Sequence, residues 1–217
     1  RVLDALEDSG QAARTRIVYT SDHGENAGNR GMWGKSNHYE ESGGIPLIVA
    51  GPDIPSGQVK TTPANLVDIH PTVLHATGQA FEQDGTPGRS LLSLAQEPDD
   101  PERVSFSEYH AARSPSGSFM VRKGRYKLIY YVGFEHELFD LDADPEETVN
   151  LAADPAHADT FAALEAALRA IVDPEDADRR ANDAQKALVM SRGGPEKVMA
   201  NLVTTKSYTP VPDGLVD

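Results

Sequence analysis

Cysteine is absent from the 217 residues. That excludes disulfides, thiolate zinc sites and a cysteine nucleophile within the chain, and leaves the redox compartment open. Basic residues are scarce: 20 Lys and Arg stand against 34 Asp and Glu, a formal charge of −14. Nucleic acid and acidic membrane surfaces are therefore poor partners, because phosphate binding needs clustered Lys and Arg. The same balance suits a hard cation or a cationic substrate, although excess acid more often serves plain solubility. No apolar run approaches the roughly 18 residues needed to span a bilayer, and no internal repeat is present. What remains is 39% apolar and 25% charged residues, the composition of a soluble globular chain. Its length allows one large domain or two modest ones.

An initiator Met and a helix N-cap are also missing. RVLDALEDSG sets Val2, Leu3 and Leu6 at helical spacing with Gly10 as a stop. The chain reads as entering mid-helix, and is expected to be the C-terminal piece of something longer. An export signal is not legible in such a chain, so cytoplasm and periplasm both stay open.

Arg16–Thr20 and Ile45–Ala50 are short β-branched runs, and ANLVDIHPTVLHATG sets Leu66, Ile69, Val73 and Leu74 on one helical face with Gly78 as a stop. Strand, loop, strand, helix is α/β grammar, and residues 1–78 are expected to belong to one catalytic α/β domain. Residues 79–104, thick with Gly, Pro and Asp, read as a connection. In 105–175 two β-rich runs flank Lys123-Gly124 as a hairpin, and HELFDLDADPEE adds a third strand. Asp154-Pro155 caps a helix striped by Phe161, Leu164, Leu168 and Ile171. This is a small antiparallel α+β unit with a packed helix. Residues 176–217 are expected to hold one or two short helices and an extended Pro-rich tail. That tail is expected to lie along its own protein or along a neighbouring subunit of a homo-oligomer.

The chemistry gathers in IVYTSDHGENAGNRGMWGKSNHYEE, residues 17–41. Asp22 and His23 follow the first strand, where ligands of open α/β sheets collect. Carboxylate plus imidazole suits a divalent ion if the chain turns, which Gly24 permits. A turn-capping Asp beside an incidental surface His is the equal alternative for the tetrapeptide alone. Lys35 tips the balance, since past Gly28, Gly31 and Gly34 its ammonium can fold back over the same ion. Cation and lysine in one hollow describe a site for a doubly charged oxyanion.

TSDHGENAGNRGMWGKSNHYEE, IPLIVAGPDIPSG and ANLVDIHPTVLHATG, followed in order by GRSLLSL, FMVRKGRYKLIYY and ELFDLDADPEETVNLA, resemble the second half of the sulfatases of the alkaline-phosphatase superfamily. SEYHAARSPSGSFMVRKGRYKLIYY is most similar to the choline-sulfatase-like branch and its phosphonate monoester hydrolase relatives. The resemblance implies the C-terminal part of an alkaline-phosphatase-like α/β sheet sandwich plus the small α+β subdomain. It implies metal-dependent hydrolysis of a small-molecule sulfate ester, with Asp22 and His23 as metal ligands. Lys35 would contact the sulfate and its leaving oxygen, while Tyr39 and Glu40 match a continuation taken as structural. The implied cofactors are a divalent metal, Ca²⁺ first with Mn²⁺ or Mg²⁺ as alternatives, and a formylglycine made from Cys or Ser upstream. That nucleophile belongs to the remainder of its own chain, so these residues alone are expected to be inactive. One departure stands out: Gly44 occupies a position where many members carry Arg, which puts the support of the loop in doubt. A phosphonate monoester or phosphodiester hydrolase is the alternative on the same scaffold, and a non-catalytic interaction module the alternative from another class.

Weaker candidates complete the set. His38 is kept as a catalytic candidate, with a surface position expected. Glu108 and His110, expected just before the small sheet, are substrate-contact candidates at the pocket mouth, or else form a salt bridge and a loop hydrogen bond. An acidic or aromatic group there would suit a choline-like cation. His70 and His75, five residues apart on a helix, are poor joint ligands. RKGRYK is read as solvated strand edges.

Overall fold

The computed structural model describes residues 1–81, 85–111 and 114–204. The Pro-rich tail and its expected subunit contact lie outside them. Inter-residue contacts divide the chain into two units, Arg1–Pro174 and Glu175–Asp217, and each is described by itself.

The first unit opens on α1, Val2–Asp8, which ends before Gly10 at φ 69°. β1, Ile17–Thr20, follows, then α2, the single turn Glu40–Gly43, and β2, Leu47–Ala50. The two strands pair antiparallel, Ile17 opposite Ala50 and Thr20 opposite Leu47. Thr20 and Leu47 therefore stand at the same end, so the loop after β1 and α2 before β2 meet there.

α3, Ile69–Ala76, departs from the expected apolar face. Its buried residues are Pro71 and Thr72, with Asp68 just before it, whereas Val73 is 54% and Leu66 38% exposed. Periodicity located the helix but misjudged its inner side, because polar atoms do the anchoring. Asn65 and Asp68 form a reciprocal capping box at the preceding 3₁₀ turn, and Thr72 Oγ1 accepts from Leu91 N at 2.8 Å. Leu91 begins α4, Leu91–Gln96, capped by Ser90 and burying Leu91, Leu92 and Leu94. Within the stretch whose composition suggests only a connection, a short helix thus contributes core.

Four strands then run as an antiparallel meander: β3 Val104–Tyr109, β4 Ser118–Lys123, β5 Tyr126–Tyr131 and β6 Glu137–Asp140. The expected hairpin is present, with Gly124 at φ 55° in its turn. β3 was not expected as a strand. Glu108 lies inside it, opposite Phe119. Paired residues of an antiparallel ladder share a face. One face therefore carries Phe106, Val121, Leu128 and Leu138, and the other Ser105, Arg122, Lys127 and Phe139. α5, Ala158–Ile171, covers the first face, with Leu164 and Leu168 buried and Ile171 left half-exposed. Asp154 accepts from Ala156 N at 2.9 Å, confirming the expected cap. Burial of such Leu and Phe side chains contributes about 1.5–3 kcal/mol each. The second face of the sheet receives α2 and the segment before it. The loop carrying Lys35 is held there.

The second unit holds α6, Pro174–Ser191, and α7, Pro195–Thr204, broken at Gly193 and Gly194. α6 is longer than the short helices expected. Arg180 pairs with Asp176 at 2.8 Å, at the i, i+4 spacing that supports an exposed helix. No helix among the described residues is long and apolar enough to cross a membrane.

Candidate active site

Beyond β1 the chain turns sharply through Ser21–Gly24. Ser21 Oγ donates to the His23 carbonyl at 2.7 Å, and Gly24 N donates to Ser42 O at 2.8 Å. Gly24 is required by closeness, not by φ: a Cβ there would sit 2.1 Å from the Glu41 carbonyl oxygen. The turn brings both predicted ligands to one side. His23 Nδ1 lies 2.8 Å from the Gly24 carbonyl oxygen, which only accepts, so Nδ1 carries the proton and Nε2 turns its lone pair outward. Asp22 Oδ2 stands 3.3 Å from that Nε2.

The Lys35 ammonium donates to the same Nε2. Acid, imidazole and amine are therefore together, lining one cavity of about 370 Å³ between the loop and β3. Partial desolvation raises the Asp22 carboxyl. His23, nearby backbone N–H groups and Lys35 together outweigh it and hold the carboxyl below its usual range.

The loop carrying Lys35 is stiffened by groups that sequence reasoning did not single out. Asn26, 1% exposed, donates from Nδ2 to Gly34 O at 2.6 Å, and Glu25 Oε1 accepts from Gly34 N at 2.6 Å. Gly34 is thus gripped through both its backbone polar groups, one residue before the lysine. Ser36, one residue after, sits at φ 94°. A non-glycine residue there stores about 1–3 kcal/mol of strain, tolerated only where the surroundings over-determine it.

Residues 28–173 match the family described as N-sulphoglucosamine sulphohydrolase, C-terminal. The chain belongs to that family. It is 36% identical over 156 residues to a choline-sulfatase of Rhizobium meliloti, covering 71% of this chain and 30% of the relative. To arylsulfatase K of Gallus gallus it is 36% identical over 182 residues, covering 79% and 34%. A protein solved in complex with its substrate D-glucosamine-2-N,6-O-disulfate superposes with a TM-score of 0.70 at 29% identity, over 84% of this chain and 38% of that one. A phosphonate monoester hydrolase from Silicibacter pomeroyi gives 0.66 at 31%, over 77% and 36%. The chain spans about a third of the length of the curated relatives it matches. The expected fold, the C-terminal part of an alkaline-phosphatase-like sheet sandwich, is shown.

Within this sulphohydrolase C-terminal domain the remaining candidates separate. His38 is not on the surface. It is 5% exposed, with Nε2 3.1 Å from Ser118 Oγ and 3.3 Å from the Ser118 carbonyl oxygen. It lines the wall between the site cavity and a larger one of about 1240 Å³, which contains neither Asp22 nor Lys35. Burial, helped by nearby Lys127, lowers the His38 imidazole to about 4 against the Ser118 carbonyl, which raises it. As pH falls below about 6.5 the unfolded chain takes up a proton that folded His38 refuses, so stability drops until about pH 4. We expect a loss on the order of 3 kcal/mol across that window. His38→Gln should abolish this component, as urea unfolding at pH 7 and pH 4.5 would show. An identical slope in the variant would assign it elsewhere.

Glu108 and His110 lie 3.6 Å apart through carboxylate and Nε2. Glu108 runs along the cavity wall, but its register places it on the face of Phe119, while Ser107 shares the face of Met120. His110 packs edge-on against Phe119, 5.2 Å between centroids. His70 and His75 have separate neighbours, Phe81 and Ser90.

RKGRYK is corrected at Lys127, while Arg122, Lys123 and Arg125 keep solvent contact as expected. Lys127 is 1% exposed, its ammonium 2.8 Å from Glu40 Oε1 and 2.6 Å from Glu147 Oε1. Gly44 belongs to the same arrangement, since a Cβ there would meet Glu40 Oε2 at 2.7 Å. Glu40 folds over the bare glycine and takes its cation from β5 instead. Burial raises the Glu147 carboxyl against the pull of Lys127. Tyr39 donates to Glu137 Oε1 at 2.7 Å and Tyr131 to Oε2 at 2.9 Å, and burial together with that carboxylate raises both phenols. Tyr39 and Glu40 therefore tie the loop to the sheet.

Proposed function

We propose that this chain supplies half of the active site of a metal-dependent sulfatase, in which Lys35 stabilises charge on a sulfate ester during S–O cleavage. The observation that carries this reading is the convergence of Asp22, His23 and Lys35 on one cavity. A divalent ion bound by Asp22 and His23 would supply positive charge to the sulfate oxygens. The donors fit that role: two atoms at roughly 2.4 Å from one ion and at right angles stand about 3.4 Å apart, against 3.3 Å here. They form only part of a shell, for among the described residues no three His, Asp or Glu side chains converge. We assign Ca²⁺ first, with Mn²⁺ or Mg²⁺ as the alternatives.

The chain's own contributions are specific. His23 keeps its Nδ1 proton on the Gly24 carbonyl, and its Nε2, which accepts from Lys35 here, would turn to the ion once the ammonium moves to the ester. Asp22 stays ionised beside it. Lys35, three donors and no acceptor, points its charge at an ester oxygen and neutralises it as the bond to sulfur breaks. The nucleophile, a formylglycine, and the remaining ligands belong to a longer protein. Choline-sulfatase and arylsulfatase K relatives support the sulfate ester, and the phosphonate monoester hydrolase likeness supports a phosphonate ester on the same electrostatics.

Two measurements test this. The 217 residues alone should show no turnover of an aryl sulfate; hydrolysis by them would refute the shared-site reading. The longer enzyme should prefer an aryl sulfate to a phenyl phosphonate in kcat/KM. The reverse preference would install the phosphonate reading.

A further inference from the structure

Both flanks of the Lys35 loop end on one residue that lies more than a hundred positions away. Upstream, the Arg30 guanidinium donates to the Glu147 carbonyl oxygen at 3.0 Å and to that of Glu146, while covering the Tyr39 ring at 4.2 Å. Downstream, Glu40 N donates to Glu147 Oε2 at 2.7 Å. Glu147 is itself over-determined. Its side chain is fully buried, its backbone sits at φ 51°, and Lys127 from β5 neutralises its other oxygen. Buried charge and left-handed backbone are both costly, and neither is needed to close the Asp144–Val149 turn. There Asp144 already accepts from Thr148 N and Val149 N at 2.7 and 2.8 Å.

We propose that Glu147, anchored by Lys127, is a positioning residue for Lys35: it clamps the loop at Arg30 and at Glu40, so the small sheet holds the catalytic amine in register with Asp22 and His23. The clamp stands on geometry alone; its bearing on catalysis rests on the function proposed above. Arg30 and Glu40 bracket Lys35 at five residues on either side, so slack at either grip reaches the ammonium directly.

Hydrogen exchange of the 217-residue chain decides the clamp without any activity. Glu147→Gln keeps the shape and removes the charge. Residues 24–37 should exchange roughly tenfold faster or more while residues 118–131 stay protected. Unchanged exchange in 24–37 overturns the proposal, and so does equal loss in both regions. Arg30→Met repeats the test from the loop side with the sheet untouched, so a poorly folding Glu147→Gln leaves the question answerable. In the longer enzyme, Glu147→Gln should lower kcat at least tenfold with KM within about twofold, and should add little in a Lys35→Ala background. Additive losses would show that Glu147 acts other than through Lys35. Absence of all sulfatase activity would count against the function and leave the exchange result standing.

Discussion

Lys35→Ala in the longer enzyme is expected to lower kcat by roughly 10²-fold or more, about 2.7–4 kcal/mol of transition-state stabilisation. The reason is where the charge develops. In the ground state a sulfate monoester carries one negative charge spread over three oxygens, and a cation held by Asp22 and His23 would already face it. As the S–O bond lengthens, charge grows on the leaving oxygen, and an ammonium held beside His23 is well placed to meet it. An interaction made mainly in the transition state shows in kcat more than in KM. Lys35→Arg should recover only part of the loss, because a planar fork does not reproduce a compact point charge at that position. Steady-state kinetics on an aryl sulfate with the wild type and the two variants, Ala and Arg, make the measurement. A kcat for Lys35→Ala within about twofold of wild type would remove the lysine from the mechanism.

Much of this was legible in the sequence because it is local. β1, the hairpin at Lys123-Gly124, the Asp154 cap and the stripe of α5 follow from short-range pattern and turn chemistry, which any neighbour along the chain reveals. The association of Asp22, His23 and Lys35 was legible from residue type and glycine spacing. What escaped depends on pairing partners distant in sequence. Lys127 sits in RYKLIYY among apolar residues of both strand faces, a position where a solvated lysine and a buried one look alike. Its partners, Glu40 far upstream and Glu147 twenty residues on, distinguish them. His38 failed for the same reason, since Ser118 buries it from eighty residues away. β3 was obscured by the Pro-rich stretch before it and by polar alternates, Ser105 and Ser107, that face a cavity instead of solvent. The inner face of α3 was misjudged because hydrophobicity was taken to mark burial, whereas a carboxylate holds that helix in place.

That carboxylate belongs to Asp68, and Asp68→Ala is expected to destabilise the protein by about 3–5 kcal/mol. The side chain is wholly buried. Its Oδ1 accepts from the Arg103 guanidinium at 2.7 Å and from Arg89 N at 2.8 Å, and its Oδ2 from Asn65 N at 2.8 Å. Truncation leaves a nearly buried guanidinium without its counter-charge and two N–H groups without acceptors, which is costlier than losing the pair as a whole. Against a total of about 5–15 kcal/mol such a loss is severe. Asp68→Asn should cost less than Ala while still weakening the fold, since one amide oxygen remains but its NH₂ confronts donors. Urea unfolding with a fixed m-value reads the difference; a midpoint unmoved in Asp68→Ala would mean that water or a shifted Arg103 replaces the carboxylate. The consequence extends to the site. Asn65, fixed by Asp68, donates from Nδ2 to Phe106 O at 2.6 Å and so pins the 64–66 segment against β3, forming one wall of the Lys35 cavity. Asp68→Ala should therefore weaken substrate binding even where the protein remains folded, raising KM more than it lowers kcat, the opposite of the signature expected for Lys35.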